Sequence, residues 1–413
     1  MNASALTNFF RALAIITALS GCRPGHPDNY TADGADAPPA PPPATASLVD
    51  TPPAAPTAAK SILLGLLLDT SNSMDGLINQ AKAQLWSIVN KLADARCEGQ
   101  KPEIRVALYE YGNDRLSARG NHIRQVLAFT TNMDEVSKEL FALTTNGGSE
   151  YCGAVIGRSV DELDWGASDA DLKMLVIAGN EPFTQGPVSF GGACERARQK
   201  GIVVNTIYCG DHREGINSAW SAGALAANGS YFSIDQDAVT MQVASPYDDE
   251  LAQLEQKWNA ANIYYGAQGS YNYSNMAEQD RNAGSLGFST SSKRREFKVK
   301  NSEANHTWDL TEVREEQLDS VLAKTERTTL PTQYRAMDKQ QLRTHVVQLQ
   351  GEKKALKERI GQLNVQREQY VAAQAKTQPG ANALENSILA AIETSARKKG
   401  MNFDEETATT PVP

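Results

Sequence analysis

Residues 61–68 (SILLGLLL) form an almost unbroken apolar run. That is the pattern of a central parallel strand covered on both faces. Apolar residues then recur at helical spacing, at Leu77, Ile78, Ala81, Leu85, Ile88, Val89 and Leu92, which predicts a helix over 77–95. Further strands are predicted at 104–111, 123–129, 172–178, 202–208 and 230–234, with helices at 133–143, 153–165, 193–200 and 216–227 between them. Repeated strand–helix units define an α/β class: a doubly wound, mostly parallel sheet with helices on both faces and room for an antiparallel edge strand near Ile123. In such sheets ligands gather at loops beyond the carboxyl ends of the strands. Function is therefore expected at residues 69–75, 111–114, 144–152, 179–187 and 209–214.

The pattern changes after residue 260. Residues 262–292 are rich in Tyr, Asn, Gly and Ser and read as a semi-ordered linker, although such residues also suit adaptable binding loops. A basic run follows at Lys293, Arg294, Arg295, Lys298 and Lys300, read as a solvated strand or linker face. Leu342, Leu349, Leu356, Leu363 and Tyr370 then recur every seven residues, with Val346 and Ile360 on the neighbouring stripe. Sustained heptads predict a coiled coil or a helix packed on a neighbour. Lys353 and Arg367 interrupt the second stripe, and Gly351 and Gly361 fall inside the helix. A homodimer through this helix and a self-folded hairpin are both open. A short amphipathic helix with Leu384, Ile388, Leu389 and Ile392 precedes a polar tail.

The first residues change the picture of where the chain resides. Arg11 precedes a small apolar stretch over 12–20 that is too short to span a bilayer, so it reads as a targeting segment. It ends in Leu19-Ser20-Gly21-Cys22, which resembles a bacterial lipobox. The resemblance implies cleavage before Cys22 and acylation of that cysteine; a plain secretory signal is the alternative. Arg23 stands where many inner-membrane lipoproteins have Asp, which implies a lipid-anchored envelope protein at the outer membrane. Residues 23–60 are rich in Pro, Ala, Thr and Asp and lack the apolar surface to fold. They read as a tether of roughly 35 Å as a coil and up to about 120 Å extended. The expected organisation is thus a signal peptide (1–21), a lipidated Cys and Pro/Ala-rich tether (22–60) and the α/β domain (61–260). A Tyr/Asn/Gly/Ser-rich and basic connection (261–335), a heptad-bearing coiled-coil helix (336–376) and a short helix with a polar tail (377–413) complete it.

Candidate chemistry centres on Asp69-Thr70-Ser71-Asn72-Ser73, directly after the first strand. Asp and Ser oxygens are hard donors that suit Mg²⁺, Mn²⁺ or Ca²⁺ rather than zinc or copper. Strand, DTSNSMDG loop and helix together resemble the von Willebrand factor type A (vWA) family. The resemblance implies a metal-ion-dependent adhesion site (MIDAS) built from Asp69, Ser71 and Ser73, Mg²⁺ foremost, with a Thr and an Asp from two later loops. Ser149 stands where the family has that Thr, and Gly179 where it has that Asp, so Asn180 or Glu181 is the candidate replacement. The expected metal set is Asp69, Ser71, Ser73, Ser149 and Glu181. A narrower resemblance, carried by residues 109–113, 144–153, 179–184, 208–210, 264–266 and 307–310, is to exported bacterial vWA proteins of unassigned biochemistry. It implies a binding role in which a protein partner offers an acidic side chain to the metal.

An exported chain can form disulfides, and Cys97, Cys152, Cys194 and Cys209 are an even set within one domain. At least one disulfide is expected, with Cys152 to Cys209 or Cys194 favoured. The net charge of −9 and pI near 5.3 speak against sequence-independent nucleic-acid binding. No G-x-x-x-x-G-K-[ST], H-E-x-x-H or G-x-S-x-G motif occurs. The expectation is a non-enzymatic binding protein. A structural envelope protein assembling through its coiled coil is the alternative, and a metal-assisted hydrolase using Glu150 and Glu181 is the more remote one.

Overall fold

The computed structural model describes residues 60–97, 99–234, 242–375 and 383–403. The expected signal peptide, Cys22, the expected tether up to residue 59 and residues 404–413 of the tail lie outside them. The strands are β1 (Ser61–Asp69), β2 (Ala95–Arg96), β3 (Glu103–Tyr111), β4 (Ile123–Thr130), β5 (Leu172–Gly179), β6 (Ile202–Cys209), β7 (Tyr231–Ile234) and β8 (Asn402–Phe403). The first helices are α1 (Asp75–Ala93), α2 (Met133–Ala142), α3 (Cys152–Glu162), α4 (Phe190–Gln199), α5 (His212–Asn217) and α6 (Trp220–Ala226). A helical region follows, with α7 (Asp248–Ala260), α8 (Gly269–Ser285), α9 (Phe288–Lys300), α10 (Glu315–Lys324) and α11 (Lys339–Ala375), and then α12 (Ala383–Lys398).

Six strands form one sheet in the order β4-β3-β1-β5-β6-β7. All neighbours are parallel except β3 and β4, so the edge strand at Ile123 is antiparallel as expected. This is the vWA/Rossmann-like α/β fold. β1 lies in the middle, and its apolar run serves both faces. Ile62, Leu64, Leu66 and Leu68 face one layer with Ile78, Leu85, Trp86 and Val89 of α1 and Val136 and Leu140 of α2. Leu63 and Leu67 face the other, with Val155 and Ile156 of α3, Ala193 and Ala197 of α4 and Trp220 of α6. Successive strand side chains point to opposite faces, so a strand buried on both sides needs apolar residues at every position. Each such leucine contributes about 1.5–3 kcal/mol by leaving water.

The region expected as a linker is helical. Residues 262–292 hold α8 and the start of α9, and the basic run lies on α9, where Arg294, Arg295 and Lys298 are buried. Arg294 stacks over Trp86 at 4.6 Å, donates from Nε to Asp280 at 3.1 Å and lies 2.8 Å from Asp134. Lys298 and Arg295 both pair with Glu255. Burial alone would push the Asp280 carboxyl up, but Lys298 and Arg294 more than offset that and hold it below the ordinary range. Arg294, Arg295 and Lys298 form an interior ion network that binds α9 to α7, α8 and α2, while Lys293 and Lys300 stay partly exposed.

The heptad stripe of α11 is covered by its own chain. Leu342, Val346 and Leu349 pack with Ile263, Leu310, Leu318 and Leu322, and Ile360 and Leu363 with Leu251, Trp258 and Val299. The stripe that would seam a dimer is thereby occupied. The two residues that break the heptad are its polar pins. Lys353 Nζ donates to Asn262 (2.8 Å), Asp309 (3.0 Å), Thr311 (2.9 Å) and Glu312, beneath the Trp258 ring. Arg367 pairs with Asp248 at 2.7 Å. α12 returns to the sheet, where Ile392, Ala396 and Met401 join the α1 layer, and β8 pairs with β2. No described helix is long and apolar enough to cross a membrane.

The expected disulfide is not formed. Cys97, Cys152, Cys194 and Cys209 are buried free thiols. Cys97 and Cys209 belong to the α1 layer, Cys152 and Cys194 to the opposite one, so the sheet separates Cys152 from Cys209. A disulfide needs β-carbons about 4 Å apart, which a sheet between them forbids. Cys152 Sγ instead donates to Tyr111 Oη at 3.9 Å. Burial pushes the Cys152, Cys194 and Cys209 thiols up, Cys194 to about 12, which makes them poor nucleophiles.

Candidate metal centre

The site forms where β1 ends. Asp69 is the last residue of the central strand and is fully buried. Its Oδ1 accepts from the backbone N–H of Ser71 at 2.7 Å, which folds the loop back under the carboxylate. The Ser71 and Ser73 hydroxyls then stand 3.2 Å apart. Asn180 Nδ2 donates to Ser73 Oγ at 3.0 Å and so ties the third loop to the first. The second loop lies over both: Asn146 N–H donates to the Thr70 carbonyl, Asn72 N–H to the Gly147 carbonyl, and Thr145 Oγ1 to Asp75. Thr70 itself points inward to Glu110.

Asp69 Oδ2 is buried with no hydrogen-bond partner. Burial is the largest influence on this carboxyl and pushes it up to about 7; hydrogen bonds from Ser71 pull it down, and the Glu181 charge adds to the rise. Glu150 sits beside it, also with an unpartnered oxygen, Oε2. Burial first, then the Asp69 charge, pushes Glu150 up to about 8. A buried carboxylate with nothing to accept from is costly. A hard cation would supply what both oxygens lack. Donors on offer are all oxygens, two carboxylates and two hydroxyls, which fit Mg²⁺, Mn²⁺ or Ca²⁺. Among the described residues no group of three or more His, Cys, Asp or Glu forms a ready-made metal cluster.

The remaining expected residues fall less centrally. Ser149 is half-buried, and its backbone bridges to Gly112. Glu181 is half-buried, its carbonyl accepts from the Trp220 indole N–H, and its charge acts on Asp69 and Glu150 from the third loop. Gly179 leaves no room for the carboxylate that the resemblance implies there. A Cβ on it would stand 2.5 Å from Tyr111 Oη and 3.0 Å from Asp69 Oδ2. The Tyr111 hydroxyl donates to the Ala178 carbonyl and fills that place. Tyr111 and Gly112 belong to the 111–114 loop expected to carry function, but not to the expected metal set. Their position, at the end of a strand next to β1, was the available signal.

Fold and loop together give a doubly wound α/β domain with a strand-end cluster of oxygen donors, the arrangement that the vWA resemblance implies. Neither a protein-family model nor a curated protein sequence matches the chain. Among solved structures it is similar to the conserved hypothetical protein BatB from Bacteroides thetaiotaomicron, with 14% identity and a TM-score of 0.33 over 42% of this chain and 91% of that one. It is similar to the SpRpn10 VWA domain, with 14% identity and a TM-score of 0.31 over 42% of this chain and 88% of that one. It is also similar to proximal thread matrix protein 1 from the mussel byssus, whose MIDAS motif is zinc-occupied, with 14% identity and a TM-score of 0.32 over 43% of each chain. The vWA-type fold rests on the strand order and the loop rather than on these similarities.

Proposed function

We propose that this chain is a non-enzymatic vWA-type binding module of the bacterial envelope. Asp69 with Ser71 and Ser73 would hold a divalent cation, Mg²⁺ by preference, and present it to a protein partner. The supporting observation is the Asp69 carboxylate: fully buried at the sheet's carboxyl edge, with Oδ2 unpartnered beneath three converging loops. The ion supplies a Lewis-acidic point on which a partner's acidic side chain completes the coordination. The chain's own residues orient the site: Ser71 N–H fixes Oδ1, and Asn180 holds the Ser73 hydroxyl. A lipid on Cys22 would tether the module to the outer membrane.

Capture of partners from envelope extracts on immobilised full-length protein tests this reading. Binding should be lost in EDTA and in Asp69→Asn, and restored to the wild type by Mg²⁺. Capture that ignores both EDTA and the substitution would remove the metal from the mechanism. For the anchor, Cys22→Ser should release the protein from the membrane fraction, and a variant still partitioning into detergent would refute lipidation.

A further inference from the structure

The carboxylate absent from the third loop has a counterpart in the second. Glu150 is 2% exposed and Asp69 0%, and each keeps one oxygen without a hydrogen-bond partner. Both side chains border one point, Gly112, whose φ of +84° suits glycine. A Cβ there would stand 2.7 Å from Asp69 Oδ1 and 2.7 Å from Glu150 Cγ. Gly112 thus lets the Asp69 carboxylate and the Glu150 side chain approach one backbone position, which any larger residue would fill. The Ser71 backbone N–H donates to Asp69 Oδ1 at 2.7 Å, and the Ser71 hydroxyl stands 3.2 Å from that of Ser73. The backbone N–H of Glu150 donates to Gln185 Oε1 at 3.0 Å, which fixes the loop that carries it. In the third loop the Tyr111 hydroxyl occupies the corresponding volume at Gly179.

We infer that Glu150 supplies the second carboxylate of the cation site, in place of the third-loop Asp that the sequence lacks. The inference rests on the metal reading above and narrows it: the donors are Asp69, Glu150 and the Ser71 and Ser73 hydroxyls. Glu181 then acts from a distance, through its charge. Two buried carboxylates without a cation between them repel, unless a proton is shared. A divalent ion removes that repulsion and gives both orphaned oxygens a partner. Moving the carboxylate from one loop to another also explains why Tyr111 can fill the space at Gly179 without emptying the site.

The test is a Mn²⁺ titration of the full chain, followed by calorimetry and by the electron-spin signal of free Mn²⁺, with melts in EDTA alongside. Asp69→Asn and Glu150→Gln should each weaken Mn²⁺ by about tenfold or more, because each removes one of two anionic ligands, whereas Glu181→Gln should change it less than about threefold. In EDTA, Glu150→Gln should melt no lower than wild type, since the repulsion is gone. If the amide variant does not fold, Glu150→Asp replaces it, and its shorter reach should cost Mn²⁺ affinity several-fold. Wild-type affinity in Glu150→Gln or Glu150→Asp, with binding lost in Asp69→Asn, would overturn the role of Glu150 and leave the metal reading intact. No Mn²⁺ binding by the wild type at millimolar concentration would overturn the metal reading itself.

Discussion

Between the layers of the six-stranded sheet, the space is filled by Leu, Ile, Val and Trp side chains. Between α7, α8, α9 and α11, much of it is filled by charges: Arg294, Arg295, Lys298, Lys353 and Arg367 are each at most 5% exposed. The two regions fail differently when disturbed. An apolar layer that loses a side chain is left with a cavity, which its neighbours partly close. An ion network that loses one member leaves its partners charged and out of water, which collapse cannot repair. The helical region therefore gains a specific geometry from its charges but tolerates substitution poorly.

The largest effect should come from the networks. Arg294→Met takes the ion-pair partner from Asp134 and one of two from Asp280, which keeps Lys298, and Lys353→Met takes the cation from Asp309, which is 0% exposed. Each should cost about 3–5 kcal/mol in urea unfolding. A loss under about 1 kcal/mol would mean that the charges are idle. Leu67→Ala, in the sheet, should cost about 2–5 kcal/mol through its cavity.

A third expectation concerns pH at the candidate site. In EDTA, Asp69 and Glu150 hold protons up to about 7 and 8, while the unfolded chain releases them near 3.8 and 4.5. Folded acids with raised values bind protons that the unfolded state has lost, so their contribution to stability falls as pH rises from about 4 to 8. Melts from pH 5 to 8 should show this decline. Asp69→Asn or Glu150→Gln should flatten it, and Mn²⁺ should reverse it by binding the ionised pair. A wild-type profile that matches the variants would contradict the raised values.

The smallest effect sharpens the comparison within one helix pair. Arg359 and Glu250 pair at 2.6 Å but are nearly half exposed, whereas Arg367 and Asp248 on the same helices are buried. Arg359→Met should cost less than about 1 kcal/mol. Arg367→Met should cost several times more. Equal losses would show that burial does not set the value of these pairs.

The same contrast decides what the sequence reveals. β1 was legible because a doubly covered strand must be almost wholly apolar, β3, β5 and β6 because shorter apolar runs mark them, and α1 because its apolar stripe has helical spacing. α9 (FSTSSKRREFKVK) carries no such stripe. Its buried face is basic, and its partners Asp134, Glu255 and Asp280 lie 14 to 160 positions away, so only the folded chain explains it. The α11 stripe was legible, but not what covers it. At the site, Asp69, Ser71 and Ser73 were readable because one loop holds them together. Glu150 was noted as a loop acid, but its place against Asp69 depends on two glycines and Tyr111, from strands that pair with β1.

One contact sets the order in which the protein can assemble. Lys60 Nζ donates to the carbonyl of Lys399, and Ile392, Ala396 and Met401 complete the layer under α1. Contacts that join such distant residues close late, because the intervening chain must first be gathered in. Until residues 383–403 dock, part of the sheet's apolar face has no cover, and the strip over β6 and β7 that Ile392 seals stays open to water.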